Sequence, residues 1–234
     1  MKRSRKILAT VLLGMALLLA ISVGLVYSEL KKGASEDPTV WEDVIQGFEE
    51  QGPHTVGSVL FTGSSSIRLW DTLAQDMQPL TTINRGFGGA KMGDLEYYAD
   101  RLINIAGIKA IVIFAGTNDV TPQASKSPDT ILKGFKQVMA RIRSMHQDIP
   151  VYYIAVTPSP SRWEVWSIAQ EANQLFENYA QSDPHLHYLD TGPALLLDGV
   201  PNEELYRFDK LHLSETGYSV WTEIIRGRLH ADLL

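Results

Sequence analysis

The chain has 234 residues, 44% of them hydrophobic, which is enough for one well-buried domain and short for two. It contains no cysteine, and that excludes disulfides, a cysteine nucleophile and thiolate metal sites. From Gly33 onward 15 basic residues stand against 26 acidic ones, a balance that argues against nucleic acid or anionic headgroups as the main partner of the domain.

The first six residues, MKRSRK, carry four basic groups, and the 21 residues from Ile7 to Tyr27 carry no charge. As a helix such a stretch would be about 30 Å long, matching the hydrocarbon core of a bilayer. Residues 1–32 are therefore expected to be an N-terminal membrane anchor, or a cleaved signal with a small-residue site near Ala20 and Ser22. Only Lys31 and Lys32 closely follow the span, so the positive-inside rule puts the rest of the chain outside the cytoplasm. Residues 33–55 read as a linker, GASEDPTV, and a packing helix over Trp41–Gln51 with Trp41, Val44, Ile45 and Phe48 at helical spacing.

Beyond that, short apolar runs alternate with amphipathic ones. Strands are predicted at Val56–Thr62, Thr81–Arg85, Ala110–Ala115, Val151–Val156 and His187–Leu189. Helices are predicted near Ile67–Leu73, within Met92–Ala106, and at Pro128–His146, Glu164–Tyr179 and Glu215–Leu229. This alternation indicates an α/β fold with a mostly parallel sheet covered on both faces. In such sheets ligands bind beyond the carboxyl ends of the strands, so the strand-to-helix turns are where chemistry is expected.

Four turns stand out: Gly63-Ser64-Ser65-Ser66, the stretch NRGFGGA from Asn84 to Ala90, GTND from Gly116 to Asp119, and DKLHLSETGY from Asp209 to Tyr218. Singly, each has a structural explanation in tight-turn glycines, turn-forming Asn118 and Asp119, and the helix cap Ser214. Together they supply what acyl transfer needs: a hydroxyl nucleophile, a base, a carboxylate to orient the base, and oxyanion donors. Asp209 and His212, three residues apart, can pair carboxylate with imidazole Nδ1, leaving the other ring nitrogen to face a serine at the end of the first strand.

In this order GSSS, NRGFGG, GTND and DKLH resemble the four sequence blocks of the SGNH hydrolases, the GDSL esterase/lipase family, over about Gly57 to Gly227. The resemblance makes residues 56–234 the hydrolase domain. It implies Ser65 as nucleophile, Asp209 and His212 as the base pair, and an oxyanion hole of Ser65 N–H, Gly89 N–H and the Asn118 side chain. It also implies a three-layer α/β/α sandwich, flavodoxin-like, with a parallel five-stranded sheet in the order 2-1-3-4-5. One departure is Ser64, which stands where the family usually has aspartate.

The expected activity is that of a serine esterase working through an acyl-enzyme, with no cofactor and no metal. Lysophospholipids or other lipid esters are the first substrate class, and O-acetyl groups on carbohydrate or acyl transfer on the same residues the alternatives. A catalytically idle domain that binds glycan or a partner protein is the reading from another class. No GxSxG surrounds Ser65, Lys91 breaks a dinucleotide fingerprint, and His185 with His187 lacks a third metal ligand. Trp163 and Trp166 are candidates for an acyl pocket, or for packing their helix onto the sheet.

Overall fold

The computed structural model describes residues 31–234 and six isolated positions before them (14, 15, 17, 19, 24 and 28). The expected anchor falls largely outside the described residues, among which no helix is long and apolar enough to cross a membrane.

Five strands, β1 (Val59–Gly63), β2 (Thr82–Gly86), β3 (Ala110–Phe114), β4 (Val151–Ile154) and β5 (Leu186–Leu189), form one parallel sheet in the order β2-β1-β3-β4-β5. The helices are α1 (Glu42–Glu49), α2 (Ser65–Arg68), α3 (Leu73–Asp76), α4 (Met92–Ile103), α5 (Pro128–Met145), α6 (Trp166–Ala180) and α7 (Glu215–Leu233). Side chains alternate across each strand and so divide the interior into two cores. Leu60, Ile111, Ile113, Val151 and Tyr153 meet α1, α4, α5 and α6 through Ile45, Leu95, Phe135 and Phe176. Val59, Phe61, Val112, Phe114, Tyr152 and Ile154 face the other way, onto Ile67, Leu73, Trp221 and Ile225 of α2, α3 and α7. Burial on both faces explains why the strands read as continuous apolar runs rather than alternating ones.

The structure revises several predicted boundaries. β1 begins at Val59 rather than Val56, because Gly57 turns the chain at φ +84° and leaves Val56 exposed. The helix predicted over Ile67–Leu73 is two short ones, α2 and α3. Between them Trp70 folds into the core and its indole Nε1 donates to Asp76 Oδ2 at 2.6 Å. The helix expected from Trp41 opens as a 3-10 turn over Pro38–Trp41, capped by the Asp37 side chain. The one expected from Glu164 starts at Trp166, after a kinked 3-10 stretch over Pro160–Val165. A two-stranded hairpin, β6 (Leu196–Leu197) with β7 (Val200–Pro201), lies in the connection between β5 and α7 and was not expected.

Candidate active site

After β1 the chain moves outward to β2, then returns past β1 to β3, so a crevice opens at the carboxyl ends of β1 and β3. Ser65, the first residue of α2, stands there. Gly63 sets the turn at φ +130°; a Cβ on it would come within 2.0 Å of the Phe114 carbonyl oxygen, so only glycine lets β1 run this close to β3. Ser64 N–H donates to that same carbonyl at 2.8 Å. The turn is thus held by its backbone, with no carboxylate at position 64. Asn84 ties β2 to it by donating from Nδ2 to Ile67 O at 2.8 Å while its Oδ1 accepts from Gly86 N–H at 2.9 Å. The Tyr218 hydroxyl of α7 donates to Ser66 O at 2.8 Å.

The loop before α7 brings Asp209 and His212 onto Ser65. His212 Nε2 lies 2.8 Å from Ser65 Oγ, and His212 Nδ1 lies 2.6 Å from Asp209 Oδ2. The other carboxylate oxygen, Oδ1, accepts backbone N–H groups of Leu211 and His212, both at 3.0 Å. Partial burial alone would raise the Asp209 carboxyl. The hydrogen bonds from the His212 ring and from those two backbone groups outweigh it and hold the pKa below the ordinary value. An ionised Asp209 fixes the proton on Nδ1 and leaves Nε2 as an acceptor for the serine proton.

Ser65, Gly88, Gly89, Asn118, Thr121, Arg68, Arg162, Leu211, His212 and Gly33 line one open cleft of about 230 Å³. Gly89 has φ +69°, and Gly33 packs so closely on it that a Cβ there would lie 2.7 Å from Gly33 Cα. Asn118 Nδ2 donates to Ala90 O at 3.0 Å with one of its two protons, and its Oδ1 accepts from Arg162 Nη2 at 3.1 Å. Arg162 also donates to the carbonyls of Thr117 and Val120. That fork fixes which end of the Asn118 amide is the donor. Burial lowers the Arg162 guanidinium to about 10, far enough above neutrality that it stays a cation.

The loop carrying Gly89 is braced from beneath. Asp119 Oδ2 accepts Met92 N–H at 2.8 Å, and Asp94 Oδ2 accepts Lys91 N–H at 2.8 Å. Burial pushes both carboxyls above the ordinary range, against the pull of those N–H groups and of Lys126 or Lys91.

Ser65, Gly89, Asn118 and His212, expected from the sequence, line one cleft, and Asp209 reaches it through its hydrogen bond to the His212 ring. Neither Trp163 nor Trp166 lines it; the two rings stack at 6.2 Å, and Trp166 packs on the core. His185 and His187 do not form a pair. His185 faces Asp148 at 3.7 Å, while His187 stacks on Tyr152 and accepts from Arg228 at 2.8 Å. Arg162 and Gly33 were not singled out from the sequence, and Asn84 only as the start of NRGFGGA. Arg162 lies outside the four turns, and nothing in sequence spacing connects Gly33 to Gly89.

A serine hydroxyl, an imidazole and a carboxylate in hydrogen-bonded series, at the switch point of a 2-1-3-4-5 sheet, define a serine hydrolase. The chain belongs to the GDSL-like lipase/acylhydrolase family, whose model matches residues 51–220. It is 24% identical over 216 residues to the platelet-activating factor acetylhydrolase IB subunit alpha1 of Rattus norvegicus, covering 83% of this chain and 82% of that protein. A GDSL-like lipase from Bacteroides thetaiotaomicron superposes with a TM-score of 0.71 at 18% identity, covering 84% of this chain and all (100%) of the other. The lipase/acylhydrolase from Enterococcus faecalis gives 0.57 at 18% identity, over 76% and 97% of the two chains.

Proposed function

We propose that the protein is a carboxylic ester hydrolase acting on short acyl groups, with Ser65 as nucleophile, His212 as general base and Asp209 orienting it. The observation that carries the chemistry is the unbroken series from Asp209 Oδ2 through His212 to Ser65 Oγ, at 2.6 and 2.8 Å. His212 Nε2 takes the Ser65 proton as Oγ attacks the ester carbonyl. The oxyanion is held by Ser65 N–H, Gly89 N–H and the free proton of Asn118 Nδ2. His212 then returns the proton to the departing alkoxide, the alcohol leaves, and water activated by His212 releases the acid from the acyl-serine.

The cleft, at about 230 Å³, is smaller than the pockets of about 300–1,000 Å³ that enclose drug-sized ligands. An acetyl or butyryl group fits within it, whereas a palmitoyl chain would run outside. The relation to an acetylhydrolase supports the same direction. The basic N-terminus and the uncharged stretch Ile7–Tyr27 support a chain anchored in a membrane with this domain on the outer side.

The test is p-nitrophenyl ester hydrolysis across acyl lengths from acetyl to palmitoyl, by the parent chain and by Ser65→Ala. The reading predicts a kcat/KM maximum at two to four carbons and its loss in the variant. Equal rates at palmitoyl would remove the short-acyl assignment, and activity retained by Ser65→Ala would remove the nucleophile. Faster transfer to a sugar hydroxyl than to water would make the enzyme an acyltransferase.

A further inference from the structure

Tyr206 is buried at the start of the loop that carries Asp209 and His212, and its hydroxyl donates to the carbonyl of Pro158, 48 positions back in the chain. Four residues beyond Pro158 stands Arg162, whose Nη2 holds the Asn118 amide at 3.1 Å. We propose that Tyr206 is a positioning residue for the oxyanion hole: through the segment Pro158–Arg162 it seats the Asn118 donor and the base loop as one unit. The inference rests on the esterase proposed above and adds to it a residue that lies outside the cleft.

On the loop side, Tyr206 is fixed against the base. It stands opposite Leu213 in an antiparallel bridge, closed by Arg207 N–H on His212 O at 2.7 Å and by Ser214 N–H on Leu205 O at 2.9 Å. Leu213 follows His212 directly, so the phenol and the imidazole share one backbone frame. Burial pushes the phenol above its ordinary value, and it remains a donor wherever His212 can act as a base. A second bond runs beside the first: Lys210, between Asp209 and His212, accepts Ser161 N–H on its carbonyl at 3.0 Å. Lys210 holds φ +57° there, a left-handed conformation that a residue with a Cβ adopts only where its surroundings impose it.

On the oxyanion side, the sequence TPSP makes the connecting segment stiff. Pro158 and Pro160 have fixed φ, and each restricts the residue before it to extended backbone; Ser159 has φ −150° and ψ 150°. Just upstream, the Asn173 side chain clamps Val156, its Oδ1 accepting Val156 N–H at 2.9 Å and its Nδ2 donating to Val156 O at 2.8 Å. Clamped at one end and short of rotatable bonds inside, the segment passes a shift at Pro158 or Ser161 on to Arg162. Arg162 donates to Thr117 O and Val120 O as well as to Asn118 Oδ1, so it grips the turn on both sides of the oxyanion donor. A buried phenol needs an acceptor wherever it lies. What distinguishes this one is that its acceptor belongs to the segment that holds Asn118.

The experiment is a double-mutant cycle on p-nitrophenyl acetate hydrolysis by the full chain: parent, Tyr206→Phe, Asn118→Ala and the two combined, with near-ultraviolet circular dichroism to establish packing. Tyr206→Phe removes one oxygen and leaves the ring. We expect kcat to fall about three- to tenfold with KM within about twofold, and the acid limb of the kcat/KM profile to stay in place because His212 keeps its partners. On Asn118→Ala the same change should alter kcat by less than about 1.5-fold. An equal loss in both backgrounds overturns the proposal, as does parental kcat in Tyr206→Phe, the result of a merely structural hydroxyl. A shifted acid limb also overturns it, by placing the effect on His212. Pro160→Ala, which frees the segment, runs through the same cycle and decides the matter if Tyr206→Phe does not pack: its loss of about threefold in kcat should be confined to chains that retain Asn118. If the parent hydrolyses no ester, the esterase reading itself falls. If it hydrolyses p-nitrophenyl acetate and the cycle is additive, the esterase stands and this inference falls.

Discussion

Replacing Asp209 by asparagine isolates the electrostatic role of the carboxylate at nearly constant shape. In the parent, Oδ1 accepts two backbone N–H groups at 3.0 Å and Oδ2 accepts from His212 Nδ1 at 2.6 Å. Asparagine has one acceptor oxygen for these two sites. Kept on the backbone N–H pair, that oxygen leaves the NH2 facing Nδ1, which must then be the unprotonated nitrogen. The imidazole proton moves to Nε2, 2.8 Å from Ser65 Oγ, where no acceptor remains for the serine proton. Turned the other way, the amide sets its NH2 against two N–H donors and loses both bonds, at about 1–3 kcal/mol for each unpaired group. Either way the competent tautomer is rare, and kcat should fall by about 10³–10⁴, or about 4–5.5 kcal/mol at 1.36 kcal/mol per decade. The assay is the pH–rate profile of p-nitrophenyl acetate hydrolysis, with circular dichroism to establish folding. A folded Asp209→Asn within tenfold of the parent at neutral pH would refute the tautomer argument.

Three further outcomes follow, two from contacts at the site and one from an ion pair at the opposite end of the sheet. Asn118→Ala should lower kcat by about 10²–10³, as for loss of one oxyanion donor, and Arg162→Ala by about tenfold. Because Arg162 acts through Asn118, the double variant should be no slower than Asn118→Ala alone; additive losses in a double-mutant cycle would show an independent role. Gly89→Ala must hold φ +69° and displace Gly33 from a 2.7 Å approach, so kcat should fall at least tenfold with a smaller change in KM; parental kinetics would show that the loop yields freely. For Asp183, burial raises the carboxyl, but the Arg143 guanidinium at 2.8 Å and His185 N–H outweigh it, leaving its folded pKa below the ordinary value. Its stabilisation is therefore complete above the unfolded pKa of about 3.9 and vanishes as pH falls through the folded value. Asp183→Asn should melt about 2–4 °C below the parent at pH 7, with the gap narrowing as the pH falls below about 3.9, and a constant gap would contradict the linkage.

The parts of this molecule that were legible in the sequence are those written locally. AIVIFA at Ala110–Ala115 is apolar because both faces of β3 are covered, and the Ser127-Pro128 start of α5 is a cap followed by a helix-starting proline. The four turns were legible because glycines and the Ser, Asn, Asp and His types sit together where strands end. What was not legible depends on distant partners. Nothing local shows that Trp70 will bury itself and break a helix, or that Arg162, outside every turn singled out, will reach 44 positions back to Asn118. The segment from Gly33 to Asp37 is the extreme case. GASED reads as a polar linker because its partners, Lys91, Lys126 and Gly89, lie more than 50 residues away.

The central claim is that Ser65, and no other hydroxyl, becomes acylated. A fluorophosphonate that mimics the tetrahedral intermediate should modify the chain once, and peptide mass spectrometry should place the adduct on Ser65, with labelling suppressed in His212→Ala. An adduct on any other residue, or an unlabelled Ser65 in protein that still hydrolyses p-nitrophenyl acetate, would contradict the mechanism.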